Sequence, residues 1–234
     1  MTSSRQTAAL LAGDAQRIFG DRLRTVALYG RHAKGEATGP VACVCLVASL
    51  THEDLDACAA EVRRWHGLGL ATPLVVPVGE FEQSLDAFPL EYGDIIAHHE
   101  VVAGLDLLQD ASVDPTDLRR ACETQVKSHL LHLRQEYLEA SQHPATVAAL
   151  IARAAPAFAT LLAQVARLEG ANGGDLGTAA HAGARLAGLS DSTVNAVLAQ
   201  AEGTAMSAPD GARLFPEYLT AVGQLATFVD GWGD

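Results

Sequence analysis

Positive charge is in short supply in this chain. Sixteen Lys and Arg stand against 28 Asp and Glu, a formal net charge of −12 at pH 7. So acidic a surface repels the phosphates of nucleic acid and the headgroups of anionic membranes, and neither is an expected partner. Cysteine is scarce as well. The four at 43, 45, 58 and 122 show no disulfide-framework spacing, and 234 residues are enough to fold without such staples. No apolar run reaches the ~18 uncharged residues of a membrane span. The opening MTSSRQTAALLAGDAQRIFGDR lacks the basic-then-apolar layout of a secretory signal. These absences lead us to expect a cytoplasmic protein. Neither a P-loop nor a dinucleotide fingerprint occurs, and no G-x-S-x-G elbow supports Ser-His-Asp hydrolysis.

What is present reads as two halves. Residues 4–19 carry Ala8, Leu11, Ala15 and Ile18 along one helical stripe. Thr25–Tyr29 reads as a short strand and Pro40–Val47 as a longer apolar one, as suits strands buried on both faces. Thr51 and Asp54 have capping-box spacing ahead of Leu55, Cys58, Ala59 and Val62, which predicts a helix. Leu74–Val78 reads as a third strand, Ser84–Phe88 as a short helix ended by Pro89, and the segment around His98 and His99 as extended chain. Residues 1–108 are therefore expected to form an α/β head.

From Asp114 the pattern is helical alone. Asp114-Pro115 is a start signal, and Pro144 opens a second long helix in which Pro156 should kink or break the chain. A Gly-rich linker at 170–177 precedes helices near 178–187, 191–202 (with Ser190 as cap) and 209–229. Residues 109–234 are expected to form an all-α bundle.

The stretch TVALYGRHAKGEATGPVACVCLVAS, residues 25–49, carries the strongest resemblance. An apolar strand runs into Gly30, a polar Gly-rich turn follows, and a second apolar strand begins near Val41. Together with the leading helix and the helical tail, this layout resembles the nucleotidyltransferases of the DNA polymerase β superfamily. There a Gly-Ser turn precedes an Asp-x-Asp or Asp-x-Glu pair, and the interval from Gly30 to Cys43 (43 − 30 = 13 positions) fits that distance. Here Arg31 stands in place of the Ser, and Cys43 and Cys45 stand in place of the carboxylates. Nucleotidyl transfer in the family uses Mg²⁺, which demands hard oxygen ligands; thiols are soft and make poor substitutes. A third carboxylate is absent from LVVPV at 74–78. The resemblance thus implies the scaffold, while the residues argue against the reaction. We expect no cofactor, with Mg²⁺ and nucleotide entering only were the protein active, and we expect Cys43 and Cys45 to be core residues.

Other polar groups bear on a site. His98 and His99 point to opposite faces if extended, so one of them is available to Asp94 or Glu100. His129 and His132 share a helical face without a convincing third metal ligand. Arg119, Arg120, Lys127 and Arg134 gather on the first long helix with Glu123, and Arg120 and Lys127 would face an anion in a cleft between head and bundle, the alternative being ordinary solvated charge. Minimal nucleotidyltransferases are often paired with HEPN ribonucleases, but no Arg here is followed by His at the four-to-six-residue interval of that signature. The leading expectation is a catalytically inactive nucleotidyltransferase-like protein. It would bind a nucleotide, another small anionic ligand or a protein through Gly30, Arg31, His32 and Lys34, with Arg120 and Lys127. Two alternatives stand beside it: an active transferase with displaced carboxylates (Glu36 with Asp94 or Glu100), and a structural or regulatory protein that forms homo-oligomers through its helical tail.

Overall fold

A computed structural model describes residues 3–33, 39–170 and 175–232. These fall into two compact units, Met1–Asp114 and Pro115–Asp234. In the first, helix α1 (Ser4–Phe19) leads into strand β1 (Leu23–Tyr29), strand β2 (Cys43–Val47), helix α2 (His52–Gly67), strand β3 (Leu74–Pro77), helices α3 (Val78–Gln83) and α4 (Pro89–Ala97), and strand β4 (His99–Gly104). The sheet order is β3-β2-β1-β4. Strand β1 is antiparallel to both β2 and β4, and β2 is parallel to β3.

The sheet is covered on both sides, and side-chain alternation decides which residue meets which cover. Val26 and Leu28 of β1 and Cys43, Cys45 and Val47 of β2 face Ala8, Leu11, Ala15 and Phe19 of α1 and Cys58 and Trp65 of α2. On the opposite face Ala27, Val44 and Leu46 meet Phe81 of α3 and Tyr92 and Ile95 of α4. All five residues of β2 are buried, which is why its sequence alternates nothing.

Local signals set the helix ends. Ser3 caps α1 and Thr51 caps α2, each in a full capping box, with Gln6 and Asp54 returning the bond. Asp54 is also clamped by Arg22 through two hydrogen bonds of 2.6 and 2.7 Å. That guanidinium holds the Asp54 carboxyl well below the usual carboxylate range. Asp14 of α1 accepts from Trp65 Nε1 of α2 at 2.9 Å and pairs with Arg17 and Arg64, which locks the two helices over the sheet.

Three expectations change. Residues 84–88 form turns, and Pro89 opens α4 at its first position, where a missing N–H costs nothing. Val78 starts α3 rather than extending β3. His98 ends α4 as its C-cap, so it and His99 straddle a helix–strand junction and do not lie on one strand.

The second unit is helical: α5 (Pro115–Ala140), α6 (Pro144–Leu168), α7 (Leu176–Leu186), α8 (Asp191–Ala201) and α9 (Ala208–Asp230). Helix α6 runs unbroken through Pro156, so of the expected kink or break the break does not occur. The side chain of Thr160 donates to the Pro156 carbonyl at 3.1 Å. By length and composition α6 is apolar enough to cross a bilayer, but half of its most apolar stretch is buried. Its buried residues include Leu150, Ile151, Phe158, Leu162 and Val165. Gly183 of α7 packs so closely on α6 that a Cβ there would lie 1.8 Å from the Leu162 carbonyl oxygen. Ser190 caps α8 by position but makes no side-chain capping bond.

Candidate functional site

The polar end of the sheet gathers around Gly30. Strand β1 closes at Tyr29, whose N–H donates to the Ala42 carbonyl at 3.0 Å just before β2 begins. The chain then turns at Gly30 with φ +69°, a left-handed value that L side chains adopt at a cost of about 1–2 kcal/mol. The Gly30 N–H donates to the His98 carbonyl at 3.0 Å, and Ala33 N–H returns to the Gly30 carbonyl at 3.1 Å. A short 3-10 turn over Gly30–His32 results. It is held between the start of β2 and the junction of α4 with β4.

Three titratable groups flank this turn. Asp94 lies at the end of α4, its Oδ2 4.0 Å from where a Cβ on Gly30 would be. His98 Nδ1 approaches Asp94 Oδ1 at 3.4 Å. The Tyr29 phenol is pushed above its ordinary range by burial first, then by Cys43 and Asp94. Of the two histidines, His98 thus joins Asp94. His99 places Nδ1 2.8 Å from the Ile96 carbonyl and Nε2 3.1 Å from Asp106 Oδ1. Glu100 is committed to Arg5 of α1.

Cys43 and Cys45 are as expected from their neighbours in sequence. Both are 1% exposed and face the layer formed by α1 and α2. Burial pushes the Cys43 thiol up to about 12 and raises Cys45 as well. The donor set fits Mg²⁺ badly. Two neutral, sealed thiols supply neither the hard oxygens nor the charge that the ion requires. Among the described residues no cluster of three or more His, Cys, Asp or Glu side chains is arranged to hold a metal.

The remaining candidates are scattered. His32, expected to face an anion, has both ring nitrogens engaged: Nδ1 lies 2.7 Å from Ser4 Oγ and Nε2 3.1 Å from the Gly39 carbonyl. Lys34 and Glu36 lie outside the described residues. Lys127 is bound by Glu123 at 2.6 Å and Asp230 at 2.7 Å, and Arg120 lies 3.8 Å from Asp117. Their partners therefore belong to the bundle itself. His129 and His132 line an open groove of about 440 Å³ between α5 and α6. His129 Nε2 bonds the buried Tyr218 hydroxyl at 2.8 Å, and burial lowers its basicity. Sequence reasoning missed the contact between Ser4 and His32, because 28 residues separate them and neither sits in a recognisable motif.

No protein-family model matches the chain, and no curated protein matches it in sequence. Among solved structures it is similar to the spectinomycin adenyltransferase AAD(9) from Enterococcus faecialis, determined with ATP and spectinomycin. The TM-score is 0.56 at 10% identity, over 96% of this chain and 98% of that one. At that identity the likeness is one of fold, and the fold is nucleotidyltransferase-like.

Proposed function

We propose that this chain keeps a nucleotidyltransferase-like scaffold without its transfer chemistry and binds a phosphate-bearing ligand at the Gly30 turn. One observation carries the reading: the two positions at the start of β2 that would present carboxylates are thiols sealed in the core. A site with thiols in place of acids there, and with Arg31 and Lys34 following Gly30 in the sequence, favours holding an anion directly. Guanidinium suits that role because its planar fork matches phosphate oxygens. Gly30 supplies the left-handed turn, while His32 is already engaged with Ser4 and Gly39. The structural neighbour was determined with ATP, which makes a nucleoside triphosphate the first ligand to try.

Calorimetric titration of ATP into the protein and into Arg31→Ala tests this. A charge-assisted contact is worth roughly 1.5–3 kcal/mol, so the variant should bind at least about tenfold more weakly. Equal affinity in the two proteins would remove Arg31 from the site, and absence of heat in both would remove the nucleotide.

A second reading is favoured by Asp94, whose carboxylate flanks the Gly30 turn: an active transferase with a displaced acid. The pairing of Glu100 with Arg5 leaves Asp94 as its only described carboxylate among those considered. Transfer of labelled nucleotide to any acceptor that vanishes in Asp94→Asn would support it.

A further inference from the structure

The first turn of α1 meets the Gly30 turn through a pair of side chains that the nucleotide reading does not use. Ser4 Oγ lies 2.7 Å from His32 Nδ1, and His32 Nε2 lies 3.1 Å from the Gly39 carbonyl oxygen. A carbonyl oxygen can only accept, so Nε2 carries the ring proton in the neutral imidazole and Nδ1 presents a lone pair. The Ser4 hydroxyl therefore donates to Nδ1. A hydroxyl, a base within hydrogen-bond reach of it, and a third group that fixes the base's tautomer make up the logic of an activated nucleophile.

The pair is also held still. Ser3 caps α1 just before Ser4. Arg5, just after it, is tied to Glu100 and reaches the Val101 carbonyl at 3.4 Å on β4. Ser4 is half-buried rather than sealed. The positive end of a 16-residue helix favours the negative charge that develops on Oγ during attack.

We propose that Ser4 is a nucleophile activated by His32 and directed at esters of carboxylic acids. In the step, a bond forms between Ser4 Oγ and the ester carbonyl carbon while His32 Nδ1 takes the hydroxyl proton. The ester C–O bond then breaks, and the alcohol leaves with that proton from His32. Water attacks the acyl-serine in turn, giving a proton to His32; the bond from the acyl carbon to Ser4 Oγ then breaks, His32 returns that proton to Oγ, and the acid is released. The inference is independent of nucleotide binding: it stands on Ser4, His32 and Gly39 alone.

A fluorophosphonate probe traps the first half of such a step, forming an Oγ–phosphorus bond with loss of fluoride. With the full-length protein, peptide mapping should find the adduct on Ser4, absent from Ser4→Ala. A general base contributes about 10²–10⁴-fold, so labelling in His32→Ala should slow by about a hundredfold or more. No adduct at Ser4, or an unchanged rate in His32→Ala, overturns the proposal. A second variant guards against misfolding of His32→Ala. In Ser4→Cys the four native thiols are buried, so iodoacetamide reports the new one. Alkylation at position 4, followed by peptide mapping, that is about tenfold faster in the folded protein than at the same position in the variant unfolded in urea supports activation by His32. An equal or slower rate contradicts it.

Discussion

The start of β2 and the Gly30 turn are close neighbours in the fold, yet one is sealed and the other is polar. At β2, Cys43 and Cys45 lie under α1 and α2 with 1% of their surface exposed. At the turn, Gly30 keeps a left-handed backbone and is ringed by Asp94, His98 and His32. The difference teaches that one end of a sheet can be sealed core and open polar turn within a few residues. Gly30 shapes a turn with titratable groups around it, while the thiols at the start of β2 pack as small apolar side chains.

The largest expected effect comes from introducing acid into the sealed strand. Cys43→Asp with Cys45→Asp buries two carboxylates without cationic partners among the residues of that cluster. A buried charge left unpaired costs about 3–5 kcal/mol, so urea denaturation should show a loss of at least that size. A double variant as stable as the parent that gained Mg²⁺ binding would break the comparison, because β2 would then be a latent metal site.

Gly30→Ala should cost less, about 1–2 kcal/mol. A Cβ there meets only Asp94 Oδ2 at 4.0 Å, so the cost is in the backbone and not in packing. Urea midpoints measure it. A neutral result would mean that the turn's left-handed shape is not retained in solution.

The smallest effect concerns acid. Asp54 has its folded-state acidity strengthened by Arg22 first and then by the Thr51 cap, outweighing burial. Its unfolded value is near 3.8, so the contribution is present above about pH 4 and lost as pH falls below it. Arg22→Ala should therefore flatten the acid limb of a stability-versus-pH curve, with little change in the reactivity of the thiols. An unaltered acid limb would show that the clamp is not formed.

Much of the fold was legible because it rests on local rules. The capping box at Thr51, the Pro openings at 115 and 144, and the all-apolar strand at 43–47 each state their element in a few residues. Pro89 misled because a proline can end one helix or begin another, and the choice lies with its neighbours. At Pro156 the chain stays helical and does not break, because tertiary packing of α6 outweighs the lost backbone bond. The sealed character of Cys43 and Cys45 could be foreseen from the apolar run around them. The commitments of His32 to Ser4, His98 to Asp94 and Lys127 to Asp230 could not all be read, since two of these three pairings join segments far apart in the chain. The i,i+4 spacing of Asp94 and His98 was the one clue the sequence offered.

The most direct test is the affinity for ATP measured by calorimetry in Mg²⁺ and again in EDTA. If the turn holds phosphate without a metal, the two dissociation constants agree within about threefold. Binding that appears only with Mg²⁺, or is more than about tenfold tighter with it, would contradict the account.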